Sequence, residues 1–209
     1  MTNPGIAGRR PPPTDHRKGP RRRGEELHAA IRSAALAELA EVGYARFTMD
    51  AVAVRAKASK ASLYRRWPQR IDLIMDAIYE NLPDPDTLPD TGSFREDALS
   101  VLRETGALLD GPAGEAMRGL LTDVLTDKER AAEVRERVRG NGANVMGVLV
   151  RRAVERGECA PGSATPRRLE TGSALLRYHF LFNGAPVPDH VIVGIVDEVI
   201  VPLFAAPAD

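Results

Sequence analysis

The chain has 209 residues, 29 of them Lys or Arg and 29 Asp or Glu, so its formal net charge is zero. A 43% share of apolar residues excludes a wholly disordered chain. A single cysteine, Cys159, excludes a disulfide framework or a CxxC metal site. The zero balance conceals a division: residues 1–80 carry 15 basic and 9 acidic side chains, and residues 81–209 carry 14 and 20. Such segregation suits a protein in which one half meets a polyanion and the other does not. The opening MTNPGIAGRRPPPT has no apolar stretch able to act as a signal peptide. The longest apolar run, 191–204, is interrupted by Asp197 and Glu198. A soluble, cytoplasmic protein that does not enter a membrane is therefore expected.

In chain order, residues 1–23 read as a flexible basic arm. Pro11, Pro12 and Pro13 cannot donate backbone hydrogen bonds, and seven cations stand against the one acid Asp15. A first helix is expected over 25–42, where Leu27, Ile31, Ala34, Ala35, Leu39 and Val42 recur at helical spacing. Gly43 follows where a positive-φ residue would end it. Thr48 is a suitable N-cap for a short helix to about Ala56, with Phe47 placed to staple against Val52. Ser59 caps a second short helix to about Arg66, and Pro68 opens a third to about Asn81. Helix, tight turn, helix is the order of a helix-turn-helix unit.

Residues 83–92 hold Pro83, Pro85, Pro89 and Gly92 and read as a linker, which divides the chain into 24–82 and 93–207. Beyond it Ser93 and Glu96 form a capping box for a helix to about Leu109. Further helices are expected over 114–125, from an Asp127 cap to Arg156 with a possible break at 140–142, over 166–183 and over 189–204. The fold class is all-α.

The segment 55–70 contains Arg55, Lys57, Lys60, Arg65, Arg66 and Arg70 and no acid, which is what neutralising phosphates requires. Ser59, Lys60, Ala61, Ser62 and Tyr64 lie at the start of the second short helix, the end that such a motif inserts in a major groove. Lys60 can donate to guanine O6 or N7, Ser62 can meet either kind of base edge, and the Ala61 methyl suits thymine. Arg21, Arg22 and Arg23 can reach an adjacent minor groove. Trp67 reads as packing between helices, Tyr64 as a contact or half-buried core, and Arg55 equally as a contact or an exposed helix residue.

The stretch TMDAVAVRAKASKASLYRRWPQRIDLI, residues 48–74, resembles the DNA-binding segment of the TetR family of transcriptional regulators. Thr48, Val52, Ala53, Ala56, Ser59, Leu63, Tyr64, Trp67, Arg70 and Leu73 match that family's pattern at fixed spacing. Lys57 stands where the family usually has Gly, and Ala61 where Gly is frequent. A left-handed Lys57 would carry strain of about 1 kcal/mol. The resemblance implies a three-helix DNA-reading head followed by a larger helical effector-binding and dimerisation domain. It implies phosphate contacts for residues such as Thr48, Tyr64 and Arg70. It also implies a homodimer through the last two helices, acting as a repressor on a palindromic operator and released by an unidentified small molecule.

The apolar surplus of Leu175, Leu176, Phe180, Leu181, Phe182, Val191, Ile192, Ile195, Val199, Ile200 and Leu203 agrees with such an interface. Candidate effector contacts are Met117, Arg177, His179 and Asn183. No cofactor or metal is expected. An enzyme has little support: four His and one Cys occur without HExxH, GxSxG, GxGxxG or P-loop spacing. A further alternative is a dimeric binding module whose head no longer reads DNA, for which Lys57 is the one hint.

Overall fold

Helix α1 (Gly19–Arg46) carries the first core stripe: Ile31, Ala34, Ala35 and Leu39 are buried on one face. The computed structural model describes residues 19–126 and 128–206, with backbone only for 19–23 and most of 122–142. Of the arm expected over 1–23, residues 1–18 lie outside the described residues. Its last five residues are helical, so α1 begins six residues before the expected start at Glu25. At Gly43 (φ 72°, ψ 170°) the backbone leaves helical geometry, in a region reserved in practice for glycine.

Three short helices follow: α2 (Met49–Arg55), α3 (Lys60–Arg66) and α4 (Arg70–Tyr79). Thr48 Oγ1 accepts from the Ala51 N–H at 3.2 Å and Ser59 Oγ from the Ser62 N–H at 3.2 Å, so both expected caps form. The third helix is capped by Gln69 and Asp72 in a reciprocal box, with Pro68 just outside it rather than in its first turn. Phe47, Val52, Leu63, Leu73 and Ile74 build the core between them.

The second half consists of α5 (Phe94–Leu109), α6 (Pro112–Thr126), α7 (Lys128–Glu155), α8 (Pro166–Asn183) and α9 (Asp189–Gly194). The last of these continues into a π-helical stretch, Ile195–Ile200, and then α10 (Val201–Phe204). Pro202 lacks an N–H and would crowd the carbonyl four residues back in α geometry, and widening the preceding turn relieves this. Helix α7 runs through 140–142 without a break. The expected Asp127 cap lies outside the described residues. Ser93 caps α5 as expected, whereas Glu96 turns to Arg95 instead of closing the box.

Residues 83–92 form no helix, yet they are clamped. Arg152 donates to the Leu88 and Pro89 carbonyls at 3.3 and 3.0 Å, and Arg156 to Asp90 at 3.1 Å. The fully buried Asp97 accepts from the Thr91 N–H and hydroxyl at 2.9 and 2.7 Å. Nor do the cores divide at this segment. Ala113, Ala116 and Leu120 of α6 belong to the same buried cluster as α1 and α4. At this joint Gly119 of α6 lies so close to the Tyr44 ring that no side chain fits between them.

Candidate nucleic-acid interface and interior cavity

The turn between α2 and α3 is a C-terminal cap in which the Ala58 N–H donates to the Ala53 carbonyl (2.9 Å) and the Lys57 N–H to that of Val54 (3.1 Å). That pattern requires a left-handed residue after the cap, and Lys57 supplies it at φ 52°. The chain therefore keeps the turn that usually carries glycine and strains a lysine to do so. Lys57 is exposed.

Along α3, Leu63 points inward and is fully buried, while Lys60, Ala61, Tyr64 and Arg65 form the outer face. Tyr64 is 46% exposed, which places its ring on the surface rather than in the core. Trp67 is 2% exposed, donates from Nε1 to Asp76 at 3.0 Å and meets His28 edge-on at 5.4 Å. It packs the head, as expected. Arg55 bonds Glu38 at 3.0–3.1 Å and also Glu41, both on α1, and so fastens α2 to α1. Its two carboxylate partners raise its pKa above the usual value despite partial desolvation.

Two candidate contacts have partners that the sequence did not disclose. Lys60 Nζ lies 2.6 Å from Asp50 Oδ2, and this pairing raises its pKa. Arg70 stacks its guanidinium over the Tyr44 ring at 4.7 Å, which places it at the joint between α1, α4 and α6. Thr48 and Ser59 each spend a lone pair on a helix cap but remain exposed, as does Arg65, and Ser62 is half-exposed. The structure thus brings Thr48, Lys57, Ser59, Lys60, Ala61, Ser62, Tyr64 and Arg65 together around α3 and sets Arg70 apart. The side chains of Arg21, Arg22 and Arg23 lie outside those described.

The second site is interior. A cavity of about 380 Å³ opens between α4, α5, α6, α7 and α8, and 17 of its 22 lining residues are apolar. Its size falls in the range of small-molecule sites. Of the four candidate effector contacts, Met117 and Arg177 line it, whereas His179 and Asn183 do not. The reason is angular: at 100° per residue, positions 179 and 183 lie roughly 200° and 240° around α8 from position 177. The residues that share the Arg177 face are Glu170, Ser173, Ala174 and Leu181. Tyr79 and Thr105, missed in the sequence, complete the polar lining. Burial pushes the Arg177 guanidinium below its ordinary pKa, against the opposing influence of Tyr79 and Glu170.

A helix-turn-helix head with an exposed cationic reading helix, docked on an all-α body that holds an apolar cavity, defines a helix-turn-helix transcriptional regulator. Comparison with known proteins agrees. The family model described as bacterial regulatory proteins, tetR family, matches residues 31–76. The one described as tetracyclin repressor-like, C-terminal domain, matches residues 88–199. The chain is 32% identical over 185 residues to the DNA-binding transcriptional repressor TetR of Mycobacteroides abscessus, covering 87% of this chain and 96% of that one. It is 28% identical over 167 residues to an HTH-type transcriptional regulator of Mycobacterium tuberculosis, covering 78% and 81%. The crystal structure of the TetR family transcription regulator SCO0332 superposes with a TM-score of 0.69 at 25% identity, over 84% of this chain and 97% of that one. The chain belongs to the TetR family of transcriptional regulators, which are DNA-binding proteins and not enzymes. Among the described residues no helix is long and apolar enough to cross a membrane.

Proposed function

We propose that this chain is a cytoplasmic, ligand-controlled repressor that binds a palindromic operator as a homodimer and releases it when a small molecule fills the cavity. The observation that carries the reading is the cavity's wall. Met75 and Ile78 of α4 and Ala113 and Leu120 of α6 line the cavity and also belong to the core of the DNA-reading head. A ligand that repacks these residues acts on the head directly, and it shifts the DNA-binding equilibrium by its differential affinity for the two arrangements.

Homodimerisation through α8 and α9 is supported by Tyr178 and Phe182. They stand 60% and 75% exposed on the outer face of α8 with their rings 4.9 Å apart. Leu176, Phe180, Ile192, Ile195 and Ile200 are buried within the monomer, so the apolar surplus divides between core and surface. Base reading falls to Lys60, Ala61 and Ser62, and phosphate contact to Thr48, Lys57, Tyr64 and Arg65.

The test is fluorescence anisotropy with the upstream intergenic DNA of its own gene, at several salt concentrations, against a scrambled duplex. The expected result is tight, steeply salt-dependent binding of two protomers to the first duplex alone. Lys60→Ala should weaken the operator complex by about 1–3 kcal/mol per half-site while leaving scrambled DNA almost unaffected. Asp50→Asn, which frees Lys60, should tighten binding to both. Equal loss on both duplexes for Lys60→Ala would reassign Lys60 to phosphate.

A further inference from the structure

We infer that the effector is an amphipathic carboxylate: an apolar body that fills the cavity and an anionic head that pairs with Arg177. The inference rests on the reading of the cavity as the effector site and gives that effector a chemical class. Its basis is the charge arrangement at one end of an otherwise apolar chamber. Arg177 reaches the cavity from α8 and is half-buried, so its guanidinium is partly stripped of water. A cation in that position is stable only with an acceptor that replaces the lost hydration.

Among the described residues no such acceptor bonds Arg177, and no carboxylate lies within ion-pair distance of it. Glu170, the acidic residue on the same face, is turned toward Arg167, whose Nη1 donates to it at 3.2 Å. The Ser173 hydroxyl donates to the Glu170 carbonyl at 3.1 Å and that of Thr105 to the Val101 carbonyl at 2.8 Å. The Ser173 and Thr105 hydroxyl protons are thus committed to backbone, which leaves Arg177 as the cationic donor of the lining beside the Tyr79 phenol. Glu170 and Arg177 are the charged residues of the described lining, and Glu170 is engaged by Arg167 from outside the cavity, while most of the remaining wall offers apolar contact. A planar fork of N–H donors beside an apolar chamber selects a carboxylate over an alcohol or an amine.

The test uses straight-chain carboxylates from octanoate to tetradecanoate, each below its micelle concentration. The matching primary alcohols serve as neutral comparators, and calorimetric titration is run on the full chain. At least one carboxylate should bind about 10- to 100-fold more tightly than its alcohol, the span expected of one charge-assisted pair. Arg177→Gln should remove that advantage and leave alcohol binding within about threefold. Arg177→Lys should restore part of it. Circular dichroism and Tm measured on both variants confirm that each is folded.

Equal affinity for acid and alcohol, retention of the preference in Arg177→Gln, or no binding of any carboxylate would overturn the inference. Operator anisotropy in the same samples separates the two readings. Arg177-dependent carboxylate binding that leaves the DNA complex intact keeps the carboxylate site at Arg177 but overturns its assignment to the effector, and with it effector control. Release by the alcohols irrespective of Arg177 supports effector control and defeats this inference.

Discussion

Replacing Gly119 by alanine sets two effects of opposite sign against each other. Gly119 lies in the interior of α6, where alanine is favoured over glycine by about 1 kcal/mol. The added Cβ, however, would fall 2.5 Å from Tyr44 Cδ1 and closer still to Tyr44 Cγ and Cβ. Carbon atoms pack at about 3.5–4.0 Å, so the two must part by at least about 1 Å. The atoms in the way are the root of the ring, which no change of rotamer alone clears. Tyr44 is 8% exposed, and Arg70 stacks on its face at 4.7 Å. The helices α1 and α6 themselves must therefore move apart. Overpacking of this kind costs about 1–3 kcal/mol, and here the upper end applies because backbone must shift. The net is a loss of about 2 kcal/mol, or a fall in Tm of about 4–8 °C for a chain of this size. Thermal unfolding followed by circular dichroism measures it. Gly147→Ala in α7 is the control: its Cβ would meet nothing nearer than Leu169 Cδ1 at 3.9 Å, so stability should rise by up to about 1 kcal/mol. A Gly119→Ala protein as stable as the wild type, or more so, would refute the close approach of head and body argued from this joint.

Lys57→Gly relieves left-handed strain of about 1–2 kcal/mol and gives back about 0.5–1 kcal/mol in unfolded-chain entropy, so it should stabilise by up to about 1 kcal/mol. Urea unfolding should show a higher midpoint at unchanged slope, and a lower midpoint would contradict the strain. If Lys57 meets a phosphate, the same variant should also flatten the log–log salt dependence of DNA binding by about 0.9 per protomer. Stability against pH should be a plateau bounded on both sides. Arg103 and Arg95 hold Asp189 and Asp197 below the usual carboxylate range. Burial pushes Glu158 up, but the Phe94 N–H and Arg156 outweigh it and leave its pKa lowered. Such groups contribute above their unfolded pKa of about 4, and that contribution is lost as pH falls below it. Burial pushes the Cys159 thiol up to about 11, so the folded state should lose ground as pH rises from about 8.5 toward that value. A Tm that does not fall on the acid side would dismiss these carboxylates as contributors.

What the sequence disclosed was what local chemistry encodes. Thr48, Ser59 and Ser93 are recognisable caps because a hydroxyl before an apolar repeat has one natural acceptor role, and each caps as expected. Lys57 was visible as an anomaly through the resemblance alone, which has Gly at that position, and the turn's hydrogen bonds then explain the positive φ. Interactions between distant segments were not visible. Nothing local to 55–70 announces that Asp50 folds onto Lys60, or that Glu38 and Glu41 capture Arg55. The prolines of 83–92 signal a break in helix correctly, but they say nothing of Arg152 and Arg156, which anchor that segment to α7. The π-helical stretch was hidden for a different reason: Pro202 is compatible with a helix end as well as with a widened turn, and the apolar spacing fits both. Of the four cavity candidates, the helical wheel alone would have set His179 and Asn183 apart from Arg177.

The placement of the cavity constrains what an effector has to do. Swinging a two-state head from 99:1 to 1:99 needs about 5.5 kcal/mol of differential affinity, and a ligand bound equally by both states shifts nothing. A ligand that buries about 300 Å² of apolar surface gains about 7 kcal/mol in total. Most of that is available in any arrangement of the body that keeps the chamber closed, since α5, α7 and α8 supply much of the wall. The differential part must come from α4 and α6, whose Met75, Ile78, Ala113 and Leu120 belong to the cavity wall and to the head's core alike. An effector held at one end by Arg177 of α8 has its apolar body fixed in register against those residues. One that lacks such an anchor can slide to whichever part of the chamber suits the DNA-bound state. On the proposed reading, the charge at the end of the cavity therefore does more than add affinity: it converts apolar filling into displacement of α4.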